Sequence, residues 1–201
     1  MKTATVLIAI VLFLPACDLL SGHGSDEHDP GADADGGGDT GSGGGNGSES
    51  GNMAGMTEAH NEYRQEEHDV TLVWNDEIAA YAQEWAEYLR DNHDCNLQHR
   101  AWLGMAEKGY GENLYGASAW GMRLNTTPQE VVAAWWSEVS DYDYASNSCT
   151  GVCGHYTQLM WKGSTHLGCG VAFCDGGDGT QSDVWVCNYN PPGNYIGQKP
   201  W

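Results

Sequence analysis

Basic side chains are scarce in this chain. Eight Lys and Arg stand against 28 Asp and Glu, a formal net charge of −20. Such a surface repels phosphate backbones and anionic headgroups, which argues against nucleic acid as a partner. Long apolar runs are lacking too: the first, Ala4–Leu14, is too short to span a bilayer. There is no HExxH helix of the zinc proteases and no GxSxG elbow of the serine hydrolases. Phe is nearly absent, with two residues, while nine Trp and ten Tyr supply the large rings. Those rings bring core area and a polar handle that suits a binding face.

What is present begins with a sorting signal. Lys2 precedes the apolar run, which ends in Leu14-Pro15-Ala16-Cys17. A run of that length after a basic residue reads as a signal-peptide core, and LPAC resembles a bacterial lipoprotein box, in which the Cys is lipidated after cleavage. The cysteine count points the same way. Seven is odd, and setting Cys17 aside leaves an even set of Cys95, Cys149, Cys153, Cys169, Cys174 and Cys187. An even set suits an oxidising compartment. Residues 1–16 are therefore read as a leader, and the chain as an exported, membrane-anchored lipoprotein of a bacterial cell envelope.

Residues 17–52 comprise the lipidated Cys and an acidic Gly/Ser/Asp tether. After Leu20 it has almost nothing apolar to repay the entropy of ordering. Such a chain reaches roughly 30–35 Å on average. Asp33, Asp35 and Asp39, with His23 and His28, are ligand types, but no apolar flank fixes a loop around them.

The folded domain is expected over residues 53–201. Thr57–His68 reads as a helix with Ala59 and Tyr63 inward. A second helix is capped by Asn75, carries Asp76 and Glu77 in its first turn, and places Ile78, Ala82, Trp85 and Leu89 on one face. The segment from Gly109 through Gly111 and Glu112 reads as a glycine-punctuated loop. Thr127-Pro128-Gln129-Glu130 is a capping box, from which Val131, Ala134, Trp135 and Glu138 fall on one stripe. A carboxylate on an apolar stripe is costly unless paired, so Glu138 either escapes to solvent or meets a histidine or a metal.

The C-terminal part reads as strands: Gly154–Lys162, His166–Cys174 and Asp183–Tyr189. In GHYTQLMW, period two puts His155 and Thr157 on a face with Leu159 and Trp161. A polar group there is hydrogen-bonded or used, because burying it bare costs a few kcal/mol, about 2–7. His155 is either a satisfied core histidine or a site residue. Cys169 and Cys174, five apart on one strand, face opposite sides and cannot bridge each other. Six cysteines otherwise allow fifteen pairings.

GHYTQLMW, the ending CNYNPPGNYIGQKPW, GENL at Gly111–Leu114 and HNEYR at His60–Arg64 together resemble the CAP superfamily (SCP/TAPS domains). That group holds the cysteine-rich secretory, antigen-5 and plant pathogenesis-related class-1 proteins, and the plant class looks nearest. The resemblance runs from about His60 to Trp201. It implies an α+β fold, a three-layer α-β-α sandwich with a central antiparallel sheet, stabilised by disulfides Cys95–Cys174, Cys149–Cys153 and Cys169–Cys187. It also implies a tetrad in a cleft, falling on His99, Glu112, Glu138 and His155. Of these, His99 and Glu112 rest mostly on the resemblance, and Arg100 stands where the family often has Ser.

Two imidazoles near two carboxylates can hold a divalent cation, move protons, or rigidify a cleft. The resemblance implies zinc or another divalent metal on His99 and His155, with Glu112 and Glu138 nearby. It further implies a small apolar, lipid or sterol-like ligand, for which Trp102, Trp120, Met122 and Trp136 are candidate lining. Fast catalysis is not expected, and no catalytic residue is assigned. The alternatives are a metal-dependent peptidase or esterase using the same four residues, or a cell-envelope interaction module with no ligand in the cleft. The ending, which also resembles a plant signalling peptide, is read as a structural cap.

Overall fold

The computed structural model describes residues 7–9, 48–104 and 106–201. Cys17, the tether up to residue 47 and the His23/His28/Asp33 group lie outside the described residues, as do the side chains of Leu7–Ala9 and Trp102. In chain order the elements are β1 (Leu7–Ala9), α1 (Met56–Glu67), β2 (Val73–Trp74), α2 (Asp76–His93), β3 (Gly111–Trp120), α3 (Pro128–Trp136), β4 (Tyr142–Asp143), β5 (Ser148–Cys149), α4 (Gly154–Leu159), β6 (His166–Gly176) and β7 (Thr180–Asn190). One sheet has the order β1-β3-β7-β6-β2, and β4 and β5 form a separate ribbon. The long strands β3, β7 and β6 are antiparallel. Two-residue β2 runs parallel to β6 at one edge, so the sheet is mixed rather than wholly antiparallel. At the other edge Leu7–Ala9, within the run read as a leader, pair with Gly116–Ser118.

Residue parity along the three strands builds the layers. Odd positions, among them Tyr115, Val171, Trp185 and Tyr189, join a core with Met56 and Ala59 of α1, Val131 and Trp135 of α3, and Tyr156 and Leu159 of α4. Even positions, Leu114, Ala172, Val184 and Val186, pack on Ala82, Trp85, Ala86 and Leu89 of α2. Helices thus cover both faces, which is the α-β-α sandwich.

Helix α2 starts where Asn75 accepts from the Ile78 N–H at 3.0 Å, and its apolar stripe is the one its spacing predicts. It sits very close to β6. A Cβ on Gly168 would lie 2.1 Å from Ala79 N, and one on Gly170 would lie 2.4 Å from Gln83 Cα, so only glycine admits the helix backbone there. The Gln83 amide then pairs with Val171 in both directions, at 3.1 and 3.0 Å. Because β2 ends its pairing at Leu167, this amide covers backbone that would otherwise be a bare strand edge.

Two local expectations are corrected. Gly154–Leu159 is not a strand but α4, a helix of six residues. It is too short for a helical repeat to show, and His155, Tyr156, Gln158 and Leu159 are all buried, so the alternation in GHYTQLMW carried no strand signal. The glycine-rich segment at Gly111 is not a loop but the start of ten-residue β3. That strand is central and buried on both faces, so it shows neither alternation nor a β-branched run. The remaining elements fall where expected, with α1 and the strands β6 and β7 shifted by a few residues at their ends.

Disulfides tie these parts together. Cys95–Cys174 joins the end of α2 to β6, Cys169–Cys187 crosses directly opposed residues of β6 and β7, and Cys149–Cys153 closes the loop before α4.

Candidate cleft site

Helix α3 begins with the reciprocal Thr127–Glu130 capping box and passes into a 3-10 turn, Ser137–Asp141, that carries Glu138 inward. There Glu138 is 6 % exposed and spans the first turn of α4. Its Oε1 meets His155 Nδ1 at 2.6 Å, while Oε2 accepts the backbone N–H groups of His155 and Tyr156 at 2.9 and 3.2 Å. The carboxylate therefore satisfies helix-end donors and orients the imidazole together. Trp135, one turn earlier, stacks against the His155 ring at 6.4 Å.

The second pair is built where the segment that follows α2 meets the first residues of β3. His99 Nδ1 lies 2.8 Å from Glu112 Oε1, which also accepts the Arg100 N–H at 3.0 Å. Arg100 straps this segment to α2: it donates to Tyr81 O at 3.1 Å and Glu84 Oε1 at 2.8 Å, and lies 3.8 Å over the Tyr81 ring. Burial raises the Tyr81 phenol, and the Arg100 charge works against that rise. The Trp85 indole holds the preceding residue through Gln98 O at 2.9 Å.

His99, Arg100 and Glu112 line a hollow of about 230 Å³ together with Tyr81, Tyr110, Gln158, Asn188 and the Pro192–Asn194 turn. Gln158 lies one turn after His155 on α4, so the helix that carries one pair also walls the hollow of the other. Its amide oxygen accepts from Gly193 N at 2.9 Å, and its side chain fills the space that a Cβ on Gly111 would need. Thr157 donates to Asn194 of the lining turn at 2.7 Å.

Among the described residues no three His, Cys, Asp or Glu side chains are grouped to hold a metal ion. The four acid and imidazole side chains stand as two pairs, with both carboxylates engaged by imidazole and backbone N–H. Of the aromatic candidates, Trp136 is half-buried and stacks on Tyr63 at 4.6 Å. Trp120 and Met122 sit at the far end of β3, away from this hollow.

Several buried polar residues that support the site give little signal in the sequence. Asn113 donates to His155 O at 3.0 Å and to the Tyr189 hydroxyl at 3.2 Å. That hydroxyl meets His60 Nε2 at 2.9 Å, while His60 Nδ1 meets Met56 O at 2.7 Å. Burial holds His60 down to about 3 and raises the Tyr189 phenol, so both stay neutral. Arg64 is wholly buried and donates to the carbonyls of Val70, Leu159, Trp161 and Ser164 at 2.8–3.0 Å, closing the end of α4. Burial brings its guanidinium down to about 10. His60 and Arg64 belong to the HNEYR motif, but their burial could not be read from it.

The C-terminal segment packs as a cap. Trp201 stacks on Tyr144 at 4.8 Å and accepts its hydroxyl at the terminal carbonyl, while Lys199 donates to Ala145 O at 3.2 Å.

Comparison with known proteins agrees with this architecture. The chain is 42 % identical over 142 residues to pathogenesis-related protein 1 of Arabidopsis thaliana, covering 71 % of this chain and 78 % of that protein. It is 40 % identical over 146 residues to pathogenesis-related protein 1C of Nicotiana tabacum, covering 72 % and 77 %. In solved structures, venom allergen-like protein 4 of Schistosoma mansoni superposes with a TM-score of 0.53 at 23 % identity, over 73 % of this chain and 90 % of that one. NaASP2, solved with Zn²⁺, gives 0.53 at 22 % identity, over 73 % and 82 %. Three disulfides in a domain of this kind are consistent with an oxidising, extracytoplasmic compartment. Residues 57–189 match CAP, the cysteine-rich secretory protein family, and the chain belongs to that family.

Proposed function

We propose that this is a lipid-anchored envelope protein, attached through Cys17, whose CAP domain binds a divalent cation, zinc first, on His99 and His155. The observation that carries this reading is the repeated carboxylate–imidazole contact: His99 Nδ1 to Glu112 at 2.8 Å and His155 Nδ1 to Glu138 at 2.6 Å. A carboxylate on Nδ1 fixes the ring and raises the basicity of Nε2, the arrangement that supports metal-ligating histidines. Two imidazoles would hold the ion, and Glu112 and Glu138 would orient the rings rather than ligate. A bound divalent ion there supplies Lewis acidity to water or to a ligand oxygen. The chain's own part is to hold both rings, and to wall the hollow with Gln158 and Asn188.

The hollow, about 230 Å³, is smaller than the roughly 300–1,000 Å³ of pockets that enclose drug-sized molecules. A small apolar, lipid or sterol-like ligand would insert one end there and lie across the Tyr81–Tyr110 edge-to-face pair. No nucleophile is poised in the hollow, so the domain is proposed to bind rather than to turn over substrate.

The test is calorimetric titration of zinc into the chain and into a variant carrying His99→Ala and His155→Ala. One saturable site lost in the variant supports the reading; residual binding in the variant belongs to the tether, which retains His23 and His28. Identical isotherms for both proteins would remove the metal from the proposal.

A further inference from the structure

The end of the sheet opposite the cleft carries a different surface. Glu112 and Trp120 are eight residues apart on β3, roughly 25 Å at the rise of a strand. At that pole Trp120, Met122 and Phe173 are 64 %, 46 % and 49 % exposed. Met122 and Phe173 line the first of two adjoining hollows, of about 440 and 490 Å³, which share Arg123, Leu124 and Phe173. The pole is built: Trp120 Nε1 donates to Asp178 O at 3.1 Å, and Gly121 N donates to Gly179 O at 2.9 Å, so the β6–β7 turn holds the indole in place.

The chain enters the domain at this same pole. Asn52, four residues after the first described residue of the tether's end, lines the second hollow beside Phe173 and Leu124. The Glu49 carboxylate is already bound to the Gly55 and Thr57 N–H groups at 2.8 and 2.6 Å, so the tether is fastened next to the exposed rings. Cys17 lies 35 residues before Asn52, a length that reaches roughly 30–35 Å as a flexible chain.

We propose that this pole is a membrane contact, at which Trp120, Met122 and Phe173 enter the interfacial layer of a zwitterionic bilayer beside the chain's own lipid anchor. Trp is suited to that layer because its ring is apolar and its N–H polar. Charge decides the lipid class. Asp175 and Asp178 at the β6–β7 turn outnumber Arg123, and the whole chain carries −20, so anionic headgroups are repelled. The cleft then faces away from the membrane, toward whatever it binds. This inference shares only the Cys17 anchor with the reading of the cleft, and does not depend on a metal or ligand there.

The experiment uses the mature chain, residues 17–201 with Cys17→Ser, which contains both cores and all three disulfides but has no lipid. Its flotation with phosphatidylcholine vesicles is compared with that of a variant carrying Trp120→Ser and Phe173→Ser. The expected result is vesicle binding that falls about fivefold or more in the variant and weakens when phosphatidylglycerol is added. Both side chains are exposed, and an unchanged melting temperature checks that the variant is folded. No binding, or equal binding by both proteins, overturns the proposal. Self-association that the same substitutions abolish, without vesicle binding, overturns it in favour of a second copy of this chain. None of these outcomes alters the zinc titration, so the two readings fail separately.

Discussion

Asn113 donates to the backbone carbonyl of His155 over 3.0 Å, from the residue next to Glu112 on β3. Glu112 holds His99 through its carboxylate, while its neighbour Asn113 holds α4. One dipeptide therefore couples the two carboxylate–imidazole pairs. Asn113→Ala leaves a buried carbonyl and the Tyr189 hydroxyl without this donor, and is expected to cost about 1–3 kcal/mol. The same change should weaken zinc binding in calorimetry, although Asn113 ligates nothing.

Glu138→Gln keeps the shape of the site but removes a charge that three hydrogen bonds converge on. Loss of an orienting carboxylate behind a ligating imidazole commonly lowers metal affinity about 10–100-fold. A zinc Kd within twofold of the parent would show that Glu138 serves only to hold the start of α4.

Gly170→Ala places a Cβ within 2.4 Å of the α2 backbone at Gln83, where no side chain can move aside. Helix and sheet must separate, at a cost of about 2–3 kcal/mol for such overpacking. For a domain of this size that is a fall of roughly 5–10 °C in Tm. Gly177→Ala, in the β6–β7 turn with nothing within 4 Å of its new methyl, should leave Tm nearly unchanged.

Stability should fall in mild acid through His60. Its folded-state value is about 3 against an ordinary 6.5, so between those values the unfolded chain binds the extra proton. Stability from this group is then full above about 6.5 and lost as pH falls toward 3, at up to about 1.4 kcal/mol per pH unit. Asp183, whose carboxyl burial raises, acts in the opposite sense as pH rises through its titration. Denaturant midpoints measured across this range in the parent and in His60→Gln isolate the histidine: the variant's curve should be flatter.

Arg64→Lys retains the charge and loses the fork that reaches four carbonyls. An ammonium has three donors on a single atom and cannot serve carbonyls from three segments, so a loss of about 2–4 kcal/mol is expected. Thermal unfolding checks this, and the Leu159 end of α4 should loosen first in hydrogen exchange.

Local rules were enough for the elements whose signals are local. The Asn75 cap and the Ile78–Leu89 stripe specify α2, and the Thr127–Glu130 box specifies where α3 starts, because capping atoms and helical spacing lie within a few residues of one another. Glu138 on an apolar stripe was legible as a carboxylate in need of a partner for the same reason. His155 was legible as an anomaly, though on the wrong element. What only the tertiary structure decided concerns segments buried on more than one side. β3 and α4 are enclosed by neighbours distant in sequence, so their patterns lose the period that marks an element with one wet face. The pairing of His99 with Glu112, the closure of α4 by Arg64 and the Asn113 link join residues from different segments. A hydrogen bond between side chains brought together by folding leaves no spacing in the chain from which to read it.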